Sequence, residues 1–347
     1  MKRLTALAAA LTVGMCAAVG LAAEPVTING AGASFPYPIY SQWAHKYEQT
    51  TGVRLNYQSI GSGGGITQIK AKTVDFGASD APLKAEELGQ AALVQFPMVI
   101  GGVVPVVNLP GIPSGKLRLT PGLLADIFLG KVKRWDDPAL KGENAGLGLP
   151  PKEIAVVHRS DGSGTTWIFT NYLDKVSPEW HAKVGTEKAV SWPAGVGGKG
   201  NEGVAAFVQQ VEGSIGYVEY AYAVQNKLAT AQLRNRAGKY ATPAIASFQA
   251  AAAGADWKGT PGFALVLTDQ PGDASWPITG ASFVLVRKEQ GDVARAKAML
   301  SFFDWCLRSG AAQAEKLDYV PLPAGVIDLV GAAWTAEVRA GQKAIWP

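Results

Sequence analysis

The apolar and polar positions of this chain follow two alternating periods. Apolar residues three or four positions apart predict helices, and short apolar runs that end in glycine predict strands. Residues 26–34 have the strand pattern, whereas residues 36–52 have an early proline, a helical stripe and Gly52 as a stop signal. The stripe consists of Ile39, Tyr40, Trp43 and Tyr47. We therefore expect a strand, a glycine turn and a helix in this part of the chain.

The same alternation continues to the C-terminal end. Further predicted strands cover residues 53–65, 73–81, 95–111, 153–160, 214–223 and 276–288, and further predicted helices cover residues 66–72, 120–130, 165–175, 201–213, 292–310 and 323–340. This order predicts an α/β protein with mostly parallel sheets. Two extended apolar segments, near residues 99–108 and 277–287, are candidates for crossings between two lobes.

The first 23 residues have the composition of a secretory signal peptide. Lys2 and Arg3 precede an uncharged stretch rich in alanine and leucine, residues 4–23, which ends in small residues. The stretch is about as long as a membrane-spanning helix, so an uncleaved anchor is the alternative interpretation. A lipid anchor on Cys16 is disfavoured, because the bulky Met15 stands where such sites have a small residue. We expect residues 1–23 to be removed during secretion.

The content of cysteine, histidine and charge argues against several kinds of site. After removal of the signal peptide Cys306 is the one cysteine left, so an intrachain disulfide cannot form. The 3 histidines are scattered, which argues against a structural metal site. Without Lys2 and Arg3, 30 basic residues stand against 28 acidic ones, a formal charge of +2, and no basic run is present. We therefore expect no metal, no cofactor and no nucleic-acid partner.

Three predicted strand-to-helix turns combine glycines with a serine hydroxyl. The turns cover residues 30–36, 59–66 and 159–166, and their serines are Ser34, Ser62 and Ser163. A helix N-terminus presents unpaired N–H groups and a partial positive charge to an anion, and glycine lets a ligand approach the backbone closely. For one turn alone, a serine that only caps its helix is the simpler interpretation. Three turns of one design favour a shared anion.

The glycine turns do not match the common nucleotide or nucleophile motifs. A phosphate loop needs Gly-Lys-Ser/Thr, whereas residues 195–203 contain Gly-Lys-Gly. The turns before the first two helices lack the third glycine of the dinucleotide motif. A nucleophile elbow has glycines two positions before and two positions after its serine, and Ser163 lacks both. His158 should point to the opposite face from its strand neighbour Arg159. A serine hydrolase is poorly supported.

Two acidic residues and an arginine lie beside these turns. Arg159 and Asp161 are two positions apart on an extended segment, so their side chains share a face. Either Arg159 binds an anion while Asp161 holds its guanidinium, or the two form an exposed ion pair of little consequence. Asp80 lies where a strand ends in a loop, and a carboxylate there can accept a hydrogen bond from a protonated anion.

At these residues the chain resembles the periplasmic phosphate-binding proteins of ABC-type phosphate importers. The resemblance covers nearly all of the chain after the signal peptide and is carried by residues 30–44, 61–83, 95–104, 126–137, 159–173, 192–201, 213–223 and 302–306. It implies an α/β, two-lobed type II periplasmic-binding-protein fold with one phosphate in a cleft between the lobes. It also implies a periplasmic protein without enzymatic activity, whose partners are inorganic phosphate and the membrane permease of the importer.

The resemblance assigns the site residue by residue. The first lobe supplies Ser34, the Phe35 N–H, Ser62 and Asp80, and the second supplies Arg159, Ser163, the Gly164 N–H and Thr165, with Asp161 paired to Arg159. We expect residues 24–104 and 277–347 to form the first lobe and residues 105–276 the second, in a monomer.

A few positions depart from the common pattern of this family or have an open role. Ser34 stands where relatives often have threonine, and Gly63 where a second serine is common. Ser160 stands where alanine is common, and its role stays open. Trp192 and Trp276 either line the cleft or belong to the core, and the core is the simpler interpretation.

Two other functions fit parts of the pattern. A secreted phosphatase or phosphoryl-transfer enzyme would use the same anion cradle, but it needs a metal pair or an activated nucleophile, for which no residues are evident. A nonspecific polyanion binder conflicts with the small net charge and would bind with a steep salt dependence.

Overall fold

The computed structural model describes residues 26–347, so the signal-peptide prediction and Cys16 lie outside the described part. The strands β1–β14 are Thr27–Gly32, Arg54–Ser59, Phe76–Ser79, Leu93–Val107, Arg118–Leu119, Ala155–Arg159, Val196–Gly198, Ser214–Glu219, Ala229–Thr230, Gln232–Arg234, Tyr240–Ala241, Thr279–Arg287, Arg339–Ala340 and Lys343–Ala344. The helices α1–α13 are Tyr37–Thr51, Ser62–Lys70, Ala85–Ala91, Pro121–Phe128, Pro138–Glu143, Gly164–Val176, Pro178–Lys183, Gly200–Gln210, Tyr220–Gln225, Ile245–Ala252, Val293–Ser309, Ala311–Lys316 and Ala324–Glu337. A 3-10 turn covers Pro261–Phe263.

One long strand, β4, joins the two halves of the main sheet. The order of this nine-stranded sheet is β2-β1-β3-β12-β4-β8-β6-β7, with β9 also paired to β4. All 15 residues of β4 are buried. Its first part, up to Gly102, pairs with β12, and its last part, from Val103, pairs with β8. The chain therefore passes from one lobe to the other near Gly102, inside the predicted crossing.

The prediction of mostly parallel sheets is wrong in the middle of the molecule. Strands β1, β2 and β3 pair in parallel in one lobe, and β6, β7 and β8 do so in the other. The two long strands β4 and β12 are antiparallel to each other and to their neighbours β8 and β3. A strand that is buried on both faces has a continuous apolar sequence whether it pairs in parallel or antiparallel. The sequence pattern therefore could not show the direction of β4 and β12.

Most predicted helices are confirmed, and their end signals act as expected. Helix α1 buries its apolar stripe and ends at Gly52, which has a φ of 74°. Helix α4 begins after Thr120, whose side chain accepts the N–H of Leu123 at 3.2 Å. Among residues 26–347 no helix is long and apolar enough to cross a membrane.

Two elements near the lobe interface differ from the predictions. The strand predicted for residues 214–223 ends at Glu219, because the Glu219 carboxylate accepts the N–H of Ala221 at 2.9 Å and starts α9. Helix α2 begins at Ser62, before the predicted residue 66, and includes three glycines. A Cβ on Gly65 would lie 2.6 Å from the Cα of Gly32. Glycine therefore lets α2 pack directly on β1.

Candidate functional site

The residues predicted for the anion site lie where the two lobes meet. Ser34, Ser62 and Asp80 follow the carboxyl ends of β1, β2 and β3, and the residues from Ser163 to Thr165 follow β6. The N–H of Gly63 donates to the carbonyl oxygen of Gly162 at 2.8 Å, so the two turns touch across the lobe interface. The carboxyl ends of the parallel strands in both lobes therefore face one region, as is typical of ligand sites in α/β proteins.

The Ser62 hydroxyl lies between the lobes and accepts a hydrogen bond from each. The N–H of Asp80, in the first lobe, and the N–H of Gly164, in the second, both lie 3.1 Å from Ser62 Oγ. A hydroxyl has two lone pairs and one proton. The Ser62 proton is therefore left to donate, either to the Asp80 carboxylate or to an anion beside it.

The Ser34 hydroxyl also accepts two hydrogen bonds, and both come from Asn201. Its Oγ accepts the backbone N–H of Asn201 at 3.2 Å and the side-chain Nδ2 of Asn201 at 2.9 Å. Its carbonyl accepts the hydroxyl of Tyr222 at 2.7 Å. The carbonyl of the adjacent Phe35 accepts the hydroxyl of Tyr319 at 2.6 Å. The Ser34–Phe35 turn is thus held by side chains from two distant parts of the chain.

The interpretation of the three serines as simple helix caps is correct for Ser163 only. Ser163 Oγ accepts the N–H of Thr166 at 3.0 Å and so caps α6. Pro36 occupies the cap position of α1, and Gly61 that of α2, and neither helix has a side-chain cap. The buried hydroxyls of Ser34 and Ser62 therefore do not cap helices, and their hydrogen bonds are the ones described above with Asn201, Asp80 and Gly164.

Arg159 and Asp161 form a buried pair rather than an exposed one. The Arg159 side chain is 1% exposed, and its Nε and Nη2 donate to the two oxygens of Asp161 at 2.8 and 2.5 Å. The N–H of Gly200 adds a contact to Asp161 at 3.0 Å. Burial opposes ionisation of Asp161, but these hydrogen bonds and the charge of Arg159 lower its pKa.

One nitrogen of the same guanidinium has no partner. Arg159 Nη1 is buried and has no hydrogen-bond acceptor among residues 26–347. A buried donor on a charged group carries a large free-energy cost when it is unpaired. The geometry therefore fits an anion placed next to Nη1, with Asp161 fixing the orientation of the guanidinium.

Asp80 is a buried carboxyl group on the other side of the site. It is 2% exposed, and its Oδ1 accepts the hydroxyl of Ser282 at 2.7 Å. Burial raises the pKa of Asp80 to about 7, although hydrogen bonds from Ser282 and Ser62 and the charge of Arg159 act in the opposite direction. Near neutral pH this group can therefore accept or donate a hydrogen bond.

Two comparisons with known proteins place the chain in a family. Residues 19–309 match the PBP superfamily domain. A phosphate-binding protein PstS from Pasteurella multocida is 57% identical over 327 residues, which are 94% of this chain and 95% of the relative. Another PstS, from Xylella fastidiosa, is 58% identical over 316 residues, 91% of this chain and 87% of the relative. The chain belongs to the PstS family of phosphate-binding proteins.

A solved structure supports the fold of this PstS-family chain. The phosphate-binding protein from Stenotrophomonas maltophilia has a TM-score of 0.68 at 21% identity, covering 88% of this chain and 93% of that one. At this identity the likeness concerns the fold alone. The expected two-lobed periplasmic-binding-protein fold is confirmed by this likeness and by the match of residues 19–309 to the PBP superfamily domain.

Residues outside the predicted set contact the predicted site residues of this PstS-family chain. Asn201, Ser282 and Tyr217 contact predicted site residues, and the Tyr217 hydroxyl accepts the N–H of Arg159 at 3.2 Å. A signal for Asn201 was present in the sequence, since it follows a fourth glycine-rich turn and lies at the start of a predicted helix. Ser282 had no such signal, because it lies inside the extended segment predicted for residues 276–288 and not at the start of a predicted helix.

His158, Ser160 and the two tryptophans lie outside the anion site. The His158 ring stacks on Trp192 with centroids 4.7 Å apart, and its Nδ1 lies 3.0 Å from the carbonyl oxygen of Arg159. Burial lowers the pKa of His158. Ser160 is exposed, so it adds no buried donor. Trp276 is fully buried and donates to the carbonyl of Val103 at 2.9 Å, which confirms its place in the core.

Proposed function

We propose that this protein captures inorganic phosphate in the periplasm with high affinity and delivers it to the membrane permease of an ABC-type phosphate importer. The observation that carries the proposal is the unpaired, buried Nη1 of Arg159. The PstS names of relatives that are 57–58% identical support phosphate as the anion. The protein works by binding and release, as a monomer, without making or breaking a bond.

The proposed phosphate contacts come from two lobes. Of the described residues, we assign 26–104 and 277–347 to the first lobe and 105–276 to the second. The change of β4 from partner β12 to partner β8 after Gly102 supports this division. The first lobe binds phosphate through Ser34, the Phe35 N–H, Ser62 and Asp80, and the second through Arg159, Ser163, Gly164 and Thr165. The Gly164 N–H, which donates to Ser62 at 3.1 Å, is shared between Ser62 and the anion.

A binding role fits this geometry better than a phosphatase with the same cradle. The candidate base for Ser163, His158, stacks on Trp192 and places its Nδ1 at the carbonyl oxygen of Arg159 rather than at the Ser163 hydroxyl. Ser163 itself accepts a capping hydrogen bond, which does nothing to activate it as a nucleophile. Among residues 26–347 no cluster of three metal-ligating side chains is found.

Calorimetry with inorganic phosphate, together with a hydrolysis assay on p-nitrophenyl phosphate, separates these two functions. We expect tight binding with one phosphate per protein and no hydrolysis above background. Turnover of the ester by the purified protein, lost on substitution of Ser163, would support the enzyme instead. Failure of the wild-type protein to bind phosphate at millimolar concentration would contradict the proposed function.

Replacing Gly164 by alanine should prevent tight contact between the lobes. A Cβ at this position would lie 2.5 Å from Ser62 Oγ and 2.6 Å from Asp80 Cβ, both in the opposite lobe. Closure then requires displacement of site residues, so we expect phosphate affinity to fall about 10²-fold or more. Small-angle scattering should show phosphate-dependent compaction of the wild type and less compaction of the variant.

Gly148 provides the matched control for this experiment. No atom lies within 4 Å of a Cβ built on Gly148, which is exposed. Gly148→Ala should therefore bind phosphate as the wild type does. Equal affinity of Gly164→Ala and Gly148→Ala would show that the lobes do not approach each other at Gly164 when phosphate binds.

A further inference from the structure

Asn201 is a fully buried side chain whose amide orientation is fixed by the backbone. It lies near the start of α8, and its Oδ1 accepts the N–H of Glu219 at 2.9 Å. A backbone N–H can only donate, so the atom facing it must be the oxygen of the amide. The nitrogen Nδ2, with its two protons, therefore faces the anion site.

Both protons of Asn201 Nδ2 are directed at hydroxyls that we place on the phosphate. Nδ2 lies 2.9 Å from Ser34 Oγ, in the first lobe, and 3.2 Å from Thr165 Oγ1, in the second. An amide nitrogen has no lone pair to accept with, so each hydroxyl must be the acceptor in its contact. Ser34 also accepts the backbone N–H of Asn201 at 3.2 Å.

This arrangement determines where the hydroxyl protons can point. Both lone pairs of Ser34 Oγ are engaged by Asn201, so its proton can only donate to another group. Thr165 has one lone pair engaged by Nδ2, which turns its proton away from the amide. Ser34 can therefore offer the anion only its proton, whereas Thr165 has its proton and one lone pair left. Asp80, in the same lobe as Ser34, accepts the hydroxyl of Ser282.

The position of Asn201 is itself tied to the arginine pair. The preceding residue, Gly200, has a φ of 71° and donates its N–H to Asp161 at 3.0 Å. Asp161 in turn holds the Arg159 guanidinium. Asp161 therefore holds both the start of α8, where Asn201 lies, and the guanidinium of Arg159.

We propose that Asn201 is a positioning residue that makes Ser34 an obligate donor, turns the Thr165 proton towards the ligand and so determines how phosphate is oriented. The unprotonated oxygens of phosphate face these two hydroxyls, and its protonated oxygen faces Asp80. Because Asn201 reaches hydroxyls of both lobes, it also holds them together around the ligand. This inference rests on the proposed function, since it needs phosphate as the bound anion.

Calorimetry with inorganic phosphate on three purified variants tests the proposal. Asn201→Ala removes one donor to each hydroxyl and should weaken binding about 10-fold. Asn201→Asp presents an acceptor to both hydroxyls, which would then donate to it instead of to phosphate, and it adds a negative charge. We expect its affinity to fall about 10²–10³-fold.

Asn144→Asp is the matched control. Asn144 is 3% exposed, and its amide also accepts one backbone N–H, that of Arg118, and donates from Nδ2 to two acceptors, the carbonyls of Arg118 and Leu140. It lies away from the anion site, so we expect a change in thermal stability with wild-type affinity. Circular dichroism of each variant without phosphate reports whether it folds. If Asn201→Asp does not fold, Asn201→Ala still tests the proposal.

A double-mutant cycle with Ser34→Ala separates a positioning role from a merely structural one. If Asn201 acts through the hydroxyls, the cost of Asn201→Ala should shrink to about 2- to 5-fold in the Ser34→Ala background, where only the Thr165 contact remains. An undiminished cost in that background, or wild-type affinity of Asn201→Asp, would overturn the inference while leaving the proposed function intact. Absence of phosphate binding by the wild type would instead overturn the proposed function.

Discussion

Replacing Arg159 by alanine is expected to lower the affinity for phosphate about 10²–10³-fold, because it removes a buried, charge-assisted donor from the anion. The change also leaves Asp161, 13% exposed at its side chain, with a negative charge and no cation beside the ligand. Calorimetry on the folded variant measures the loss. The unpaired Nη1 is the group whose contact with phosphate the experiment removes.

Two further variants make this expectation specific to Arg159. Asp161→Asn keeps the guanidinium and one of its acceptors, so we expect a loss of about 10-fold or less. Arg287→Ala removes a partly buried arginine that donates to the Val74 carbonyl at the far end of β12, and should leave affinity unchanged. If Asp161→Asn costs as much as Arg159→Ala, Asp161 contacts the anion directly and our assignment of these two residues is wrong.

The second large effect concerns the choice between phosphate and sulfate. Phosphate near neutral pH carries at least one proton, whereas sulfate carries none. The buried Asp80 carboxylate can accept a hydrogen bond from the former and meets only lone pairs and negative charge on the latter. At about pH 8, where Asp80 is mostly ionised, we expect wild-type protein to prefer phosphate by about 10⁴ or more, as sites built around one required hydrogen bond do.

Asp80→Asn should relax this preference, because its amide can donate to sulfate. Asp75→Asn is the matched control, since Asp75 lies at the start of β3 and accepts the N–H of Asn29 at 2.8 Å. Titrations of both variants and the wild type with each anion give the selectivity ratio. Similar wild-type affinities for phosphate and sulfate would contradict the role of Asp80.

The pH dependence of selectivity follows from the raised pKa of Asp80. Since burial raises this pKa to about 7, the carboxyl group is largely ionised above that value and protonated below it. The protonated form can donate to sulfate, so the preference for phosphate should be larger at about pH 8 than at about pH 5. In Asp80→Asn the preference should change little between these two conditions.

The local features of this protein could be predicted from the sequence because each depends on neighbouring residues. Thr120 and Gly52 mark helix ends through contacts within one turn, and both act as expected. The pairing of Arg159 with Asp161 follows from two residues on one face of an extended segment. The strand predicted for residues 214–223 is wrong after Glu219. The Glu219 side chain caps helix α9 there, although the strand-like sequence pattern continues to residue 223.

The sequence by itself determined the α/β elements, the glycine turns suited to an anion and the arginine beside one of them. The tertiary structure decided the antiparallel direction of β4 and β12 and the partners of the polar groups in the site. Ser282 contacts Asp80 across 202 positions, and Asn201 contacts Ser34 across 167. Periodicity extends over only a few residues, whereas such contacts depend on how the two lobes pack. For this reason the sequence indicated the donors, and only the folded chain showed what holds them in place.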